Sequence, residues 1–398
     1  MKALKILDLG IEYSIYGFIL CIPVSIALVS IFASLAVSLF LIKQVLSPDL
    51  SGIRSNKIFF LLFLVFFIFM SLSLFNSGPL LAKSLKALFF KWGRFFFILW
   101  MILDIFRDSR RIVKAAGFIF FSAMMIGFSA LSQKFMGYEF FRHMPLCGGI
   151  ITGPFPNQNG LGAYLTGVIP VVLCISFWKF QRTWVKVGFI LIALMLMIIS
   201  FWTYCRGGWV GLTAGMISVI LLINHNRYPK KIFWALFSVG NLICVPLTAF
   251  VLFFFQGRGD SARFIIYRGA WKMITEHPFL GKGLGTFMNY SAQYTHIGIY
   301  YVHNCFLQIW AESGIFSLLS FLLLNGYFFY KSITMILKMP ASLNSYILIG
   351  LNAGLLGFLV HSFFDTQFYS FQASFLYWTL LGLTIALSRA EGNGDFYK

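Results

Sequence analysis

From Ile58 to Phe75 the chain carries no charged side chain, and apolar runs of this kind recur from one end of the sequence to the other. In hydrocarbon every backbone N–H and C=O has to be satisfied within the segment, so such runs cross a bilayer as helices of about 20 residues. Twelve candidate spans can be read. Residues 12–43 are too long for one and are expected to fold back as a tight hairpin near Ser30. The others fall near 57–75, 84–106, 111–131, 158–178, 183–204, 207–223, 232–255, 303–330, 343–362 and 369–388. No small-residue cleavage site follows the first run, which marks it as a retained helix and not a signal peptide. Of the 398 residues 59% are hydrophobic and 11% charged, with 49 Phe and 10 Trp. Mean hydropathy is +0.84. A soluble core of this size cannot house those rings, so the sequence predicts an all-α polytopic membrane protein with about twelve transmembrane helices. Cys21, Cys147, Cys174, Cys205, Cys244 and Cys305 show no paired or metal-ligand spacing; most read as small hydrophobes.

The net charge of +19 does not point to nucleic acid, because the basic residues are scattered between the apolar runs. With the N-terminus in the cytoplasm, Lys43, Arg54 and Lys57 fall in the first inner loop, and Arg107, Arg110, Arg111 and Lys114 in the second. The later inner loops and both termini are basic as well, as the positive-inside rule requires. Twelve basic residues remain that topology does not ask for: Lys83, Lys86, Lys91, Arg94, Lys134, Arg142, Arg206, Arg258, Arg263, Arg268, Lys272 and Lys282. Lys83 and Lys86 read as snorkelling to the interface. Lys91 and Arg94 lie deeper, where a cation faces a cavity or an anion.

Three outer stretches stand out. Residues 260–276 read as an amphipathic helix, capped by Asp260 or Ser261 and stopped by His277-Pro278. At 100° per residue Arg263 shares the apolar face with Ile266, Tyr267, Ala270, Trp271 and Ile274, while Arg268, Lys272 and Glu276 take the other. A guanidinium on an apolar face needs a partner; Arg268 does not raise the question. In residues 148–163 a Gly/Pro/Asn-rich turn brings Asn157 and Asn159 to a helix N-terminus, as a cap or as a polar contact for substrate. In 203–208 the turn is so short that Arg206 sits at or just below the membrane surface. Gly207 and Gly208 there open the backbone to close packing or to a ligand.

Arginine forks suit phosphate oxygens. His303 stands where the long outer loop re-enters the membrane, beside Asn304 and near these cations, which disfavour its charged form and leave it a competent base. Its helical face is shared with Leu307 and Trp310, so its ring is expected against apolar packing. No Asp-x-Asp, Cys/His metal spacing, Gly-x-Ser-x-Gly or Walker loop is present, which argues against metal-dependent sugar transfer, ATP-driven export and serine hydrolysis.

Four pieces carry a family resemblance, GPFPNQNGLGAYL (153–165), TYCRGGWVGL (203–212), SARFIIYRGAWKMITEHPFLGKGLGTF (261–287) and HNCFLQIWAESGIFSLL (303–319), and HSFFDTQFY (361–369) also looks like a His/Asp stretch of that kind. In order and spacing they resemble the bacterial O-antigen ligase and O-antigen polymerase family over roughly residues 150–370. The outer loop is shorter than in many members. The resemblance implies a GT-C-class inverting glycosyltransferase in the bacterial inner membrane, its active site facing the periplasm and no cofactor or metal required. Its donor would be a glycan on undecaprenyl pyrophosphate. Its acceptor would be lipid A–core, as in a ligase; the alternative is a carrier-linked glycan, as in a polymerase of O-antigen or another surface polysaccharide. Carried over by motif, Arg206 and Arg263 would contact the pyrophosphate and His303 would deprotonate the acceptor hydroxyl. Lys91, Arg94, Asn157, Asn159, Tyr267, Asn304 and Asp365 join them as candidate substrate-binding residues, with Asp365 orienting His303 or the acceptor. The expected organisation is helices 1–5 over residues 1–147, a ligase-like unit over 148–388 with an extracytoplasmic loop at 256–302, and a cytoplasmic tail at 389–398. A lipid-linked glycan flippase is the alternative from another class, but it would need charge along a path through the bilayer.

Overall fold

The computed structural model describes residues 2–180, 182–227, 229–240, 260–295 and 301–392. Cys244, Arg258 and most of the 232–255 span lie outside them. Among the described residues the regular structure is helical, and nine helices are long and apolar enough to cross a membrane. The chain is an all-α, multi-pass membrane protein.

The first hairpin does not turn near Ser30. The helix Lys2–Cys21 begins earlier than expected, and the chain reverses at residues 22–25 before the helix Ile26–Leu46. Pro23 interrupts the first helix, and Ser25 caps the second by accepting from the Leu28 N–H. Ser30 sits inside that second helix, its hydroxyl bonded back to the Ile26 carbonyl. Lys43 is not a loop residue either. It is buried in the last turn of Ile26–Leu46, 2.6 Å from Asp8 and 2.5 Å from Asp104. The expected continuous span at 84–106 is also broken. It runs as Leu81–Ala87, a π-helical turn Leu88–Gly93, and Arg94–Ile105.

The centre of the bundle is built from backbone contacts between small residues, which lets helices approach without side chains between them. A Cβ on Gly354 would stand 2.1 Å from the Gly167 carbonyl oxygen, and one on Gly211 would stand 2.4 Å from that of Gly357. These contacts lock Gln158–Ser176, Arg206–Ile223 and Leu343–His361 together. In its most apolar 18-residue stretch the helix Phe371–Glu391 has 94% of its residues buried, against 22% for Thr183–Trp202, so the latter lies at the lipid-facing periphery.

The two ends of the bundle differ chemically. At one, Arg107 binds Asp49 at 2.5 Å and also pairs with Asp104, Arg111 reaches Glu12 at 3.4 Å, and Arg389 donates to the Leu103 carbonyl. At the other, the N-terminal ends of 158–176, 206–223 and 305–336 meet the C-terminal end of 343–361. There the Cys305 N–H bonds the Ser362 carbonyl at 2.9 Å, and a Cβ on Gly162 would touch Cys205 and His361.

Candidate functional site

The site grows from the second of these ends. Three non-glycine residues among those described have left-handed backbone: His143, Tyr204 and His303. Such a conformation is costly for a residue with a Cβ and persists only where its surroundings impose it. Tyr204 precedes Cys205-Arg206, and His303 precedes the helix Cys305–Ile336, so two of the three stand beside the candidate residues.

At His303 the restraints can be named. The Val302 N–H donates to the Gln308 side chain at 3.1 Å, Asn304 caps the helix by accepting from the Leu307 N–H at 2.9 Å, and the Tyr267 hydroxyl reaches the His303 carbonyl at 3.4 Å. The turn swings the imidazole away from the helical face of Leu307 and Trp310, where periodicity had placed it. Its Nδ1 instead lies 2.9 Å from Asp365 Oδ1. Helical periodicity does not apply to a residue standing outside the helix in αL geometry.

Asp365 is held from several directions. Its Oδ1 also accepts the Thr366 N–H at 2.8 Å, and its Oδ2 accepts from Gln367 Nε2 at 3.2 Å. Burial alone would raise its proton affinity. The His303 hydrogen bond and charge outweigh that and hold the carboxyl below its ordinary range. The buried Gln367 amide further reaches His361 Nε2 and the Asn159 carbonyl, each at 3.3 Å, and His361 Nε2 lies 3.4 Å from Cys205 Sγ. Gln367, His361 and Cys205 were not among the expected site residues. The signal available for them was their clustering within HSFFDTQFY and TYCRGG.

Arg206 is the first residue of Arg206–Ile223, where helix N–H groups point at incoming negative charge. Its glycine neighbours serve close packing: a Cβ on Gly207 would meet Phe364 at 2.6 Å and His361 at 2.9 Å. Arg263 lies in Asp260–Glu276, whose buried residues include Ile266, Ala270, Met273 and Ile274. Arg268, Lys272 and Glu276 are exposed. Trp271 departs from the expected apolar face: it is 52% exposed and meets Trp310 edge-on at 5.7 Å. Arg206 and Arg263 both bear on the buried Cys205 thiol. Burial pushes that thiol up to about 12 against the two guanidiniums, and Arg263 likewise opposes the burial that raises Tyr267. The structure thus brings Arg206, Arg263, Tyr267, His303 and Asp365 to one end of the bundle.

The remaining candidates have local partners. Asn157 caps Gln158–Ser176 by accepting from the Gly160 N–H at 3.0 Å, and Asn159 offers its carbonyl to Gln367. Lys91 lies 5.9 Å from the Tyr369 ring centre. Arg94 lies among Phe95, Phe371 and Phe375. Among the described residues no cluster of three His, Cys, Asp or Glu is placed to hold a metal ion.

The stretch PFLGKGLGT (278–286), the end of the 261–287 piece, is a clamp. Gly281, Gly283 and Gly285 all have positive φ, and the segment bonds to the helix Cys305–Ile336 where that helix breaks at Gly314. The Lys282 and Gly283 N–H groups donate to the Ala311 and Glu312 carbonyls, and Ile315 and Trp310 donate to the Pro278 carbonyl. The buried Glu312 carboxylate closes the clamp by accepting the Gly285 and Phe287 N–H groups at 2.9 and 3.1 Å. This fixes the C-terminal end of the Arg263 helix against the helix that follows His303.

Residues 191–322 match the family model described as O-antigen ligase. The teichuronic acid biosynthesis protein TuaE of Bacillus subtilis (strain 168) is 25% identical over 323 residues, 73% of this chain. That alignment spans 63% of the relative's own length, less than two thirds of it. The family match begins later and ends earlier than the motifs at 153–165 and 361–369, but it includes Arg206, Arg263 and His303. On these grounds the chain resembles the O-antigen ligase and O-antigen polymerase family.

Proposed function

We propose that this protein is a polytopic, inverting glycosyltransferase of the ligase and polymerase type, acting on a lipid-linked glycan at the outer face of the bacterial inner membrane. The observation that carries the reading is the His303–Asp365 pair, 2.9 Å apart, at the end of the bundle where Arg206 and Arg263 gather. In this reading Arg206 and Arg263 hold the undecaprenyl pyrophosphate of the donor and stabilise the charge that develops on it as the anomeric bond breaks. His303 takes the proton of the acceptor hydroxyl, and Asp365 holds the imidazole by its Nδ1 and stabilises the imidazolium as it forms. The hydroxyl oxygen attacks the anomeric carbon from the face opposite the pyrophosphate, so a single displacement inverts the configuration. With lipid A–core as acceptor the protein is a ligase. The alternative is a polymerase, with a carrier-linked glycan as acceptor; the relative is named for teichuronic acid biosynthesis and not for lipid A–core ligation.

The test is transfer by purified protein from an undecaprenyl-pyrophosphate-linked glycan to each acceptor, in the presence of EDTA. Product with inverted configuration supports the reading. Loss of transfer on chelation, regained with magnesium, contradicts the arginine-based mechanism.

A further inference from the structure

The donor site leaves two half-buried cations, Lys91 and Arg94, unused. Lys91 is the fourth residue of the π-helical turn Leu88–Gly93, and Arg94 begins the α-helix that follows. Single π-turns interrupt α-helices at a cost in regular bonding and recur at functional positions. The Arg94 guanidinium carbon lies 4.6, 4.7 and 4.9 Å from the ring centres of Phe371, Phe375 and Phe95. Its Nε is buried without an acceptor. Among the described residues the side chain of neither Arg94 nor Lys91 makes a hydrogen bond or ion pair with another side chain or a carbonyl. Glu312 is the carboxylate that bears on Lys91. Its oxygens are already engaged by the Gly285 and Phe287 N–H groups and by Gln308 Nε2. With Glu312 bearing on Lys91 and no carboxylate acting on Arg94, the pair keeps a net positive charge inside the membrane region, where an unpaired cation is expensive. Aromatic faces offset part of that, but they supply no acceptor for guanidinium N–H groups.

The position of this pair bears on the reaction. Tyr369, beneath Lys91, lies four residues beyond Asp365, and its ring centre is 6.1 Å from that of Tyr301, two residues before His303. Arg206 and Arg263 bear instead on Cys205. Next to Lys91 on the π-turn, Phe89 and Phe90 are 56% and 69% exposed, an apolar surface suited to a lipid chain.

We propose that Lys91 and Arg94 form a second anion subsite, distinct from the Arg206 and Arg263 donor site, that binds a phosphate of the membrane-borne acceptor. The inference rests on the glycosyl-transfer reading for the identity of its ligand. The acceptor is then itself a phosphorylated lipid, its phosphate on Lys91 and Arg94, its chain along the Phe89 and Phe90 surface, and its sugar reaching toward His303. Either a polyprenyl-pyrophosphate glycan or a phosphorylated lipid A anchor supplies this chemistry.

Native mass spectrometry of the purified full chain with undecaprenyl phosphate tests the subsite without requiring turnover. Wild type is expected to bind two copies, Lys91→Gln/Arg94→Gln one, and the charge-keeping Lys91→Arg/Arg94→Lys two again. A single copy on wild type, or two on the Gln variant, overturns the proposal. In the transfer assay the Gln variant should raise the acceptor KM by at least about tenfold and leave the donor KM within about twofold. A rise in donor KM instead would overturn the assignment to the acceptor. Two bound copies on a wild type that transfers nothing would sink the glycosyl-transfer reading and leave the subsite standing. Competition by undecaprenyl pyrophosphate against a bis-phosphorylated lipid A analogue identifies the source: whichever displaces the copy lost in the Gln variant is the native class.

Discussion

His303 Nδ1 and Asp365 Oδ1 lie 2.9 Å apart although 62 residues separate them in the chain. The pairing depends on the Leu343–His361 helix delivering its C-terminal turn to the N-terminus of Cys305–Ile336, through the Cys305 N–H bond to Ser362. Asp365 is held below the ordinary carboxylate range, where burial is outweighed by the His303 hydrogen bond and charge. A depressed acid contributes stability that is fully present above its unfolded value, about pH 4, and is lost as pH falls through the lowered folded value. The thermal midpoint of wild type should therefore exceed that of Asp365→Asn at pH 7, and the two should converge as pH falls through the lowered carboxyl value. Transfer by Asp365→Asn should fall on the order of 100- to 10,000-fold. Parallel midpoints at all pH values would refute the electrostatic account of the pair.

Gly314 has φ 82°, and a Cβ there would stand 1.9 Å from the Phe279 carbonyl oxygen. Gly314→Ala should cost at least about 2 kcal/mol through backbone strain, plus the clash. Loosening of the PFLGKGLGT clamp should follow, read as increased proteolysis at 278–286 in detergent. Unchanged stability and protection would mean that the break at Gly314 is not what seats this segment.

Lys43 bridges Asp8 and Asp104 at the opposite end of the bundle, its side chain 10% exposed and that of Asp104 1%. Removing one member of a buried pair strands the others, so Lys43→Ala should destabilise by about 3–5 kcal/mol. Neutralising the stranded carboxylates as well, Lys43→Met with Asp8→Asn and Asp104→Asn, should recover part of that loss. The comparison is made by chemical denaturation in detergent, and a near-neutral Lys43→Ala would return Lys43 to the role of a topology signal.

How much of this was legible in the sequence differs from element to element. The all-helical, multi-pass character was, because long apolar runs cross lipid as helices, and nine of the about twelve expected spans have counterparts among the described residues; the Arg268, Lys272 and Glu276 face of residues 260–276 followed from a 3.6 period. The turn at 22–25 was also written there, as Pro23 and the Ser25 cap, but the length of the apolar run drew attention to its middle. Lys43 read as a loop cation because its partners, Asp8 and Asp104, come from two other helices. The orientation of His303 was hidden because a left-handed residue outside a helix obeys no periodicity, and its contact with Asp365 is a matter of tertiary packing. The glycines of PFLGKGLGT marked unusual backbone without saying against what.

Arg263 and Arg268 share one helix but not one environment: Arg268 is exposed, whereas Arg263 bears on Cys205 and Tyr267. Arg263→Ala should lower transfer roughly 30- to 1,000-fold through loss of a phosphate contact, and Arg268→Ala should be mild. Equal rates at equal membrane abundance would remove Arg263 from the donor site.

The central claim is that His303 is the base, and the most direct measurement is glycan transfer by purified, donor-loaded His303→Gln. Glutamine keeps a polar side chain near Asp365 but cannot take a proton, and the arginines that hold the pyrophosphate are untouched. The account predicts that donor binding stays within about twofold of wild type while transfer falls at least about 100-fold. Near wild-type transfer by His303→Gln would contradict it.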